Sequence, residues 1–102
     1  MKILNVVFGL TRGGTERAAV NFTIGYSKEG HDSRLLFTRC DGVRRLLLDK
    51  NNICIYNYED ELNKVAAWEP EIIHLHSHGL NKQVVIELKK LLPKAKIIET
   101  NV

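Results

Sequence analysis

A doubly wound α/β fold, with a parallel five-stranded sheet in the order 3-2-1-4-5 and helices on both faces, follows from three features of this sequence. Short apolar runs alternate with amphipathic stretches almost from end to end, the pattern of strand–helix units joined by right-handed crossovers. The first run, Ile3-Leu4-Asn5-Val6-Val7-Phe8, is apolar on both faces, as a strand between two helical layers must be. Directly after it, the doublet Gly13-Gly14 turns the chain into a helix-like segment. With 102 residues, 44% of them hydrophobic, the chain suits one domain over residues 1–102, without linker, internal repeat or low-complexity tract.

The elements follow in order. After the glycine turn a helix is expected from Glu16 to Lys28, with Thr15 as its N-cap and Gly30 as its stop. Ala18, Phe22 and Tyr26 share a stripe with Ala19, and this stripe should lie on the sheet; Val20 and Ile24 form a lesser one. Arg34-Leu35-Leu36-Phe37 is the second strand, Val43 to Asp49 a short helix, and Ile53-Cys54-Ile55-Tyr56 the third strand. Leu62, Val65 and Ala66 mark a third helix closed by Pro70, and Ile72 to His76 is the fourth strand. Leu80, Val84, Leu88, Leu91 and Leu92 recur at helical spacing until Pro93, and Lys96-Ile97-Ile98-Glu99 is the fifth strand. A last strand with no following helix is an uncovered edge, so a piece of something longer is expected.

Charge and cysteine usage narrow the classes. The formal net charge is +3, and the cations are scattered, with Arg44-Arg45 and Lys89-Lys90 the only doublets; no nucleic-acid partner is expected. Cys40 and Cys54 lack CxxC spacing and read as small apolar fillers of a reduced, cytoplasmic protein. No run approaches the length of a membrane span, and nothing resembles a signal peptide, so any membrane contact is expected to be peripheral.

Ligands of such sheets bind at the carboxyl edge where the strand order reverses, here between strands 1 and 4. Gly13-Gly14 lies on that edge. Glycines there permit close backbone approach, and the helix N-terminus behind them favours a phosphate or carboxylate. The segment Gly9 to Thr15 lacks the lysine of a Walker P-loop, and Gly9, Gly13 and Gly14 do not fit the GxGxxG dinucleotide fingerprint, nor does Thr38-Arg39 supply its acid. A turn that needs positive φ or tight helix packing and binds nothing is the alternative reading of the doublet.

The stretch GGTERAAVNFTIGYSKEGHDSRLLF resembles the start of the retaining GT-B glycosyltransferases of the large family 4, with a GG-x-ER helix opening and a G-H before the second strand. EPEIIHLHSHG resembles the same family's fourth strand, a P-D-x-(I/V)-H-x-H pattern, with Pro70, Glu71, Ile73, His74 and His76 in those places. The resemblance implies the N-terminal, acceptor-side half of a two-domain enzyme that moves a sugar from a nucleotide-sugar to a glycan or lipid, in surface polysaccharide synthesis. It implies no cofactor beyond the nucleotide-sugar co-substrate, and no metal. By the same resemblance Gly13 and Gly14 let the donor diphosphate and sugar approach, Thr15 and Glu16 open the helix beneath, and Arg17 pairs with Glu16 or faces the cleft. His76 and Thr100 would touch substrate at the cleft edge. Two departures stand out: the family's donor-gripping E-x7-E segment has no counterpart here, and Thr100-Asn101-Val102 lacks the histidine of its T-x-H setting. These residues alone are therefore expected to transfer nothing, and no catalytic residue is assigned.

His74, His76 and His78 alternate, which in a strand puts them on one face at metal-ligand spacing, so a zinc hydrolase fragment is an alternative. A buried, hydrogen-bonded His74 with His76 at the cleft edge is the other reading, and His31 is expected in a loop. There is no GxSxG elbow and no cysteine–histidine pair, and Glu59-Asp60-Glu61 suits a helix start. A non-catalytic flavodoxin-like binding module remains a further alternative.

Overall fold

The structure, a computed structural model, describes residues 1–100; Asn101 and Val102, on which the missing T-x-H histidine falls, lie outside the described residues. Five parallel strands, β1 (Lys2–Gly9), β2 (Asp32–Cys40), β3 (Ile55–Asn57), β4 (Ile72–His76) and β5 (Lys96–Thr100), alternate with helices α1 (Gly14–Lys28), α2 (Arg45–Lys50), α3 (Tyr58–Trp68) and α4 (Lys82–Leu91). The sheet order is β3-β2-β1-β4-β5, so the chain reverses direction across the sheet between β1 and β4. In the central pair Leu4 lies beside Ile73 and Val6 beside Leu75.

Alternation along each strand feeds two cores. Leu4, Val6, Leu36, Ile73 and Leu75 meet Val65 and Trp68 of α3 and Val84 and Leu88 of α4. On the opposite face Val7, Leu35 and Phe37 meet Ala19 and Val20 of α1 and Leu48 of α2. Burial on both faces explains why β1 reads as an unbroken apolar run. The one polar residue in its middle, Asn5, is fully buried, and its Nδ2 donates to Ser33 Oγ and the Arg34 carbonyl, both at 3.3 Å.

Several expectations need correction. Helix α1 begins at Gly14 with Gly13 as the N-cap, so Thr15 is inside the helix rather than at its cap. The residues of α1 buried on the sheet include Val20 and Thr23 as well as Ala19 of the expected stripe, with Ile24 against them; Phe22 and Tyr26 of that stripe also reach the sheet, at His74, although Phe22 stays 42% exposed. Thr23 can take an interior position because its hydroxyl donates to the Ala19 carbonyl at 2.7 Å. Cys54 is exposed, so it fills no core, and Cys40 is half-buried. The caps Asn57 and Asn81, which accept the amides of Glu59 and Gln83, start α3 and α4. The three carboxylates Glu59, Asp60 and Glu61 occupy the first turn of α3, where the dipole favours them. No helix among the described residues is long and apolar enough to cross a membrane.

Candidate functional site

Strands β1 and β4 end side by side, and the segments that leave them bound a cleft of about 580 Å³. Its walls are Phe8, the Gly13-Gly14-Thr15 turn, Glu16, His78 and Gly79. Gly79 has φ +86°, a conformation that favours glycine, and it turns the chain after β4 so that its Cα side packs on Phe8. A second hollow of about 560 Å³, lined by Ser77, Lys82, Ile86 and Glu99 among others, shares His78 and Gly79 with the first.

The glycines of the turn have separate reasons to be glycine. A Cβ at Gly13 would lie 2.8 Å from Glu16 Oε1, and one at Gly9 would meet Glu16 Oε2 at 3.2 Å and the Cys40 carbonyl at 2.9 Å. The carboxylate of Glu16 is there because it folds back over the turn, where Oε1 and Oε2 accept the Thr11 hydroxyl at 2.9 and 2.7 Å and Oε2 accepts the Thr11 amide. Glu16 is the third residue of α1, so this contact closes the helix start much as a capping box does. It turns to Thr11 rather than to Arg17. Gly14, by contrast, has no atom within 4 Å of where its Cβ would be, and Gly14 itself lines the cleft. Neither Gly13 nor Gly14 has positive φ, so backbone strain does not require them.

The turn is held from its other side as well. Arg44 donates its Nε to the Thr11 carbonyl at 2.6 Å and its Nη2 to the Arg12 carbonyl at 3.4 Å, and its amide reaches the Leu10 carbonyl at 3.0 Å. The Arg17 amide donates to the Gly13 carbonyl at 3.0 Å, so α1 opens beside the cleft with its positive dipole end. A cation stands near: the Arg39 guanidinium lies 5.8 Å from the centre of the Phe8 ring, which lines the cleft. Sequence reasoning missed both residues. Only their juxtaposition across β1 and β2 makes them a pair, and no local motif carries it.

The histidines divide. His74 and His76 stack at 4.1 Å between ring centres, beneath Phe22, whose ring is 4.8 Å from His74 and 5.5 Å from His76. His74 Nδ1 bonds the Tyr26 hydroxyl at 2.9 Å and its Nε2 the Thr100 hydroxyl at 2.7 Å, while His76 Nε2 is 3.5 Å from Asn5 Oδ1. A neutral imidazole donates from one nitrogen and accepts at the other, which suits the Tyr26–His74–Thr100 chain. Burial pushes His74 below its ordinary range, and burial together with the neighbouring His74 lowers His76 to about 4.

His76 is therefore not at the cleft edge. It is 1% exposed, because Phe22 from α1 lies across its face of the sheet. Thr100 is half-buried and engaged with His74. His78 stands outside the strand, exposed, where it lines both hollows. Alternation thus brings two histidines together and not three, and no group of three His, Cys, Asp or Glu side chains is placed to hold a metal among the described residues. Gly13, Gly14 and Thr15 lie together on the cleft as one turn.

The class defined by these features is a Rossmann-like α/β domain with a cleft at its topological switch point. No family model matches the sequence, no curated protein matches it, and no solved structure matches it.

Proposed function

We propose that this domain is the N-terminal, acceptor-side half of a retaining GT-B glycosyltransferase, which moves a sugar from a nucleotide-sugar to a glycan or lipid hydroxyl in surface polysaccharide synthesis. The observation that carries the proposal is the unfilled space over Gly14, in a cleft shared by the ends of β1 and β4. A diphosphate laid there lies beside the N-terminal end of α1, whose dipole favours negative charge. The exposed side of Phe8 gives the flat apolar surface on which a sugar ring packs. Transfer rests on electrostatics, with helix N-termini and cations stabilising the departing diphosphate as the closed cleft excludes water. His76 acts from below: stacked on His74 and bonded to Asn5, it stiffens the end of β4 rather than touching substrate.

Most of the donor grip belongs to the partner half of such an enzyme, so this domain should hold the donor weakly, with Kd about 1 mM, roughly −4 kcal/mol. Uridine- and guanosine-diphosphate sugars titrated into the isotopically labelled chain should move the amide resonances of Gly14, Thr15, His78 and Gly79. Gly14→Val should abolish those shifts with the melting temperature unchanged. Shifts absent for every donor, with the fold intact, would overturn the proposal and leave a non-catalytic binding module.

A further inference from the structure

We propose that the stacked His74–His76 pair is an acid-sensitive latch: taking up a proton, it releases the end of β5 and, through Thr100 and Ser77, loosens the wall shared by the two hollows. The connection is continuous. His74 Nε2 bonds the Thr100 hydroxyl at 2.7 Å, and the Thr100 carbonyl accepts the Ser77 amide at 3.1 Å. The next residues, His78 and Gly79, line both hollows. The pair touches neither hollow, yet these two bonds join it to their common wall.

The packing makes the pair intolerant of charge. The rings are 2% and 1% exposed and stack at 4.1 Å, so a proton on either is held out of water and against its neighbour. The surroundings offer no compensation. α1 presents the Phe22 ring and the Tyr26 phenol, whose proton burial and the nearby Glu29 hold more tightly than usual. β1 presents Asn5, backed by Ser33 and the Arg34 carbonyl of β2. β5 presents Thr100, with Lys96 further along the same face beside Ile72. His31 meets Tyr26 rather than the pair, at 6.4 Å between ring centres. Among the described residues no carboxylate bonds either imidazole. A neutral His74 donates through one nitrogen and accepts through the other. A charged one donates through both, so one of its two hydroxyl partners must stop donating to it.

Relief comes at the edge of the sheet. β1 is buried along almost all its length, and α1 is anchored to the core by Ala19, Val20 and Thr23. β5 is bonded on one side only among the described residues, and its Lys96, Ile98 and Glu99 are exposed. Releasing its last residues therefore lets water reach the rings at the least cost in buried apolar surface. The same release strips the Ser77 amide of its acceptor. The open form takes up the proton in the ordinary histidine range, about 6.5, whereas the closed His76 resists it down to about 4. The closed form thus has its full stability above that range and loses it as pH falls, the opening constant rising about tenfold per pH unit. The latch holds whatever the cleft binds; that its loosening weakens the grip on a donor rests on the sugar-transfer reading.

The test needs no nucleotide. Native-state hydrogen exchange on the full chain, between about pH 6.5 and 4.5 and in low urea, follows the Ser77 amide against the amides of β1. Ser77 is expected to exchange through an opening that urea hardly changes, because little surface is exposed, while β1 exchanges through urea-sensitive unfolding. Once the intrinsic pH dependence of exchange is removed, the Ser77 opening constant should rise about tenfold for each pH unit lost. Combining His74→Gln with His76→Gln should remove that rise. Three results would overturn the proposal: Ser77 sharing the urea slope of β1, an opening that ignores pH, or a rise that the folded double variant keeps. Should circular dichroism show the double variant unfolded, the first two comparisons, made on the wild type, decide alone.

Discussion

Replacing Gly42 by alanine tests how tightly the loop beneath the cleft is built. A Cβ there would sit 2.5 Å from the Leu10 carbonyl oxygen, 2.8 Å from its carbon and 3.1 Å from Thr11 Cα, where real Cβ atoms essentially never approach within 3.0 Å. All three are backbone atoms, so no side chain can swing aside. The Leu10 carbonyl cannot retreat freely either, since it accepts the Arg44 amide at 3.0 Å and belongs to a residue whose side chain is fully buried. Overpacking of this kind costs about 1–3 kcal/mol. In a domain of this size each kcal/mol moves the melting temperature by about 4–8 °C, so a drop of roughly 4–24 °C is expected. Gly14→Ala is the matched control: with open space around its Cβ and a helical position, it should be neutral or stabilising by up to about 1 kcal/mol. Thermal melts followed by far-ultraviolet circular dichroism, with urea titration by Trp68 fluorescence, measure both. Gly42→Ala melting with the wild type, or Gly14→Ala falling as far as Gly42→Ala, would refute the steric account.

Stability should also rise with pH between about 4 and 6.5, because the unfolded chain takes up protons on His74 and His76 that the folded chain resists. The contribution of His76 is fully present above its unfolded value and lost as pH falls toward about 4, an effect of about 2–3 kcal/mol in urea titrations that His76→Gln should flatten. Arg34→Ala should cost about 1–2 kcal/mol and redden Trp68 emission, because the guanidinium lies 4.2 Å over the indole and bonds Asp32 and the Tyr56 hydroxyl; an unchanged urea midpoint would rule that clamp out.

The sheet order was legible because the strands are short apolar runs set apart by turns and helices, with Pro70 and Pro93 ending the helices before β4 and β5, and β4 spans Ile72–His76 as its pattern indicates. Helix α1 was harder at both its start and its face. Its cap, Gly13, has no side chain to announce it, and two apolar stripes overlap on its surface. Thr23 belongs to neither apolar stripe, yet a hydroxyl returned to its own helix is as easily buried as a methyl. The spacing of His74 and His76 gave their common face but not what lies over it, since Phe22 arrives from an element some fifty positions earlier. The Gly13-Gly14-Thr15 turn was visible locally, whereas Arg39 and Phe8 meet only when β1 and β2 pair.

The folded-back Glu16 side chain ties positions 13 and 16 into one unit of substitution. Shortening it to aspartate would withdraw the oxygens that crowd positions 9 and 13 while releasing the Thr11 hydroxyl. An alanine at 13 that is harmful beside glutamate then becomes tolerable beside aspartate, so drift at 13 is permitted or forbidden by the occupant of 16, whereas position 9 stays closed by the Cys40 carbonyl. Position 14 stands outside that bargain and is free to answer to whatever enters from solvent.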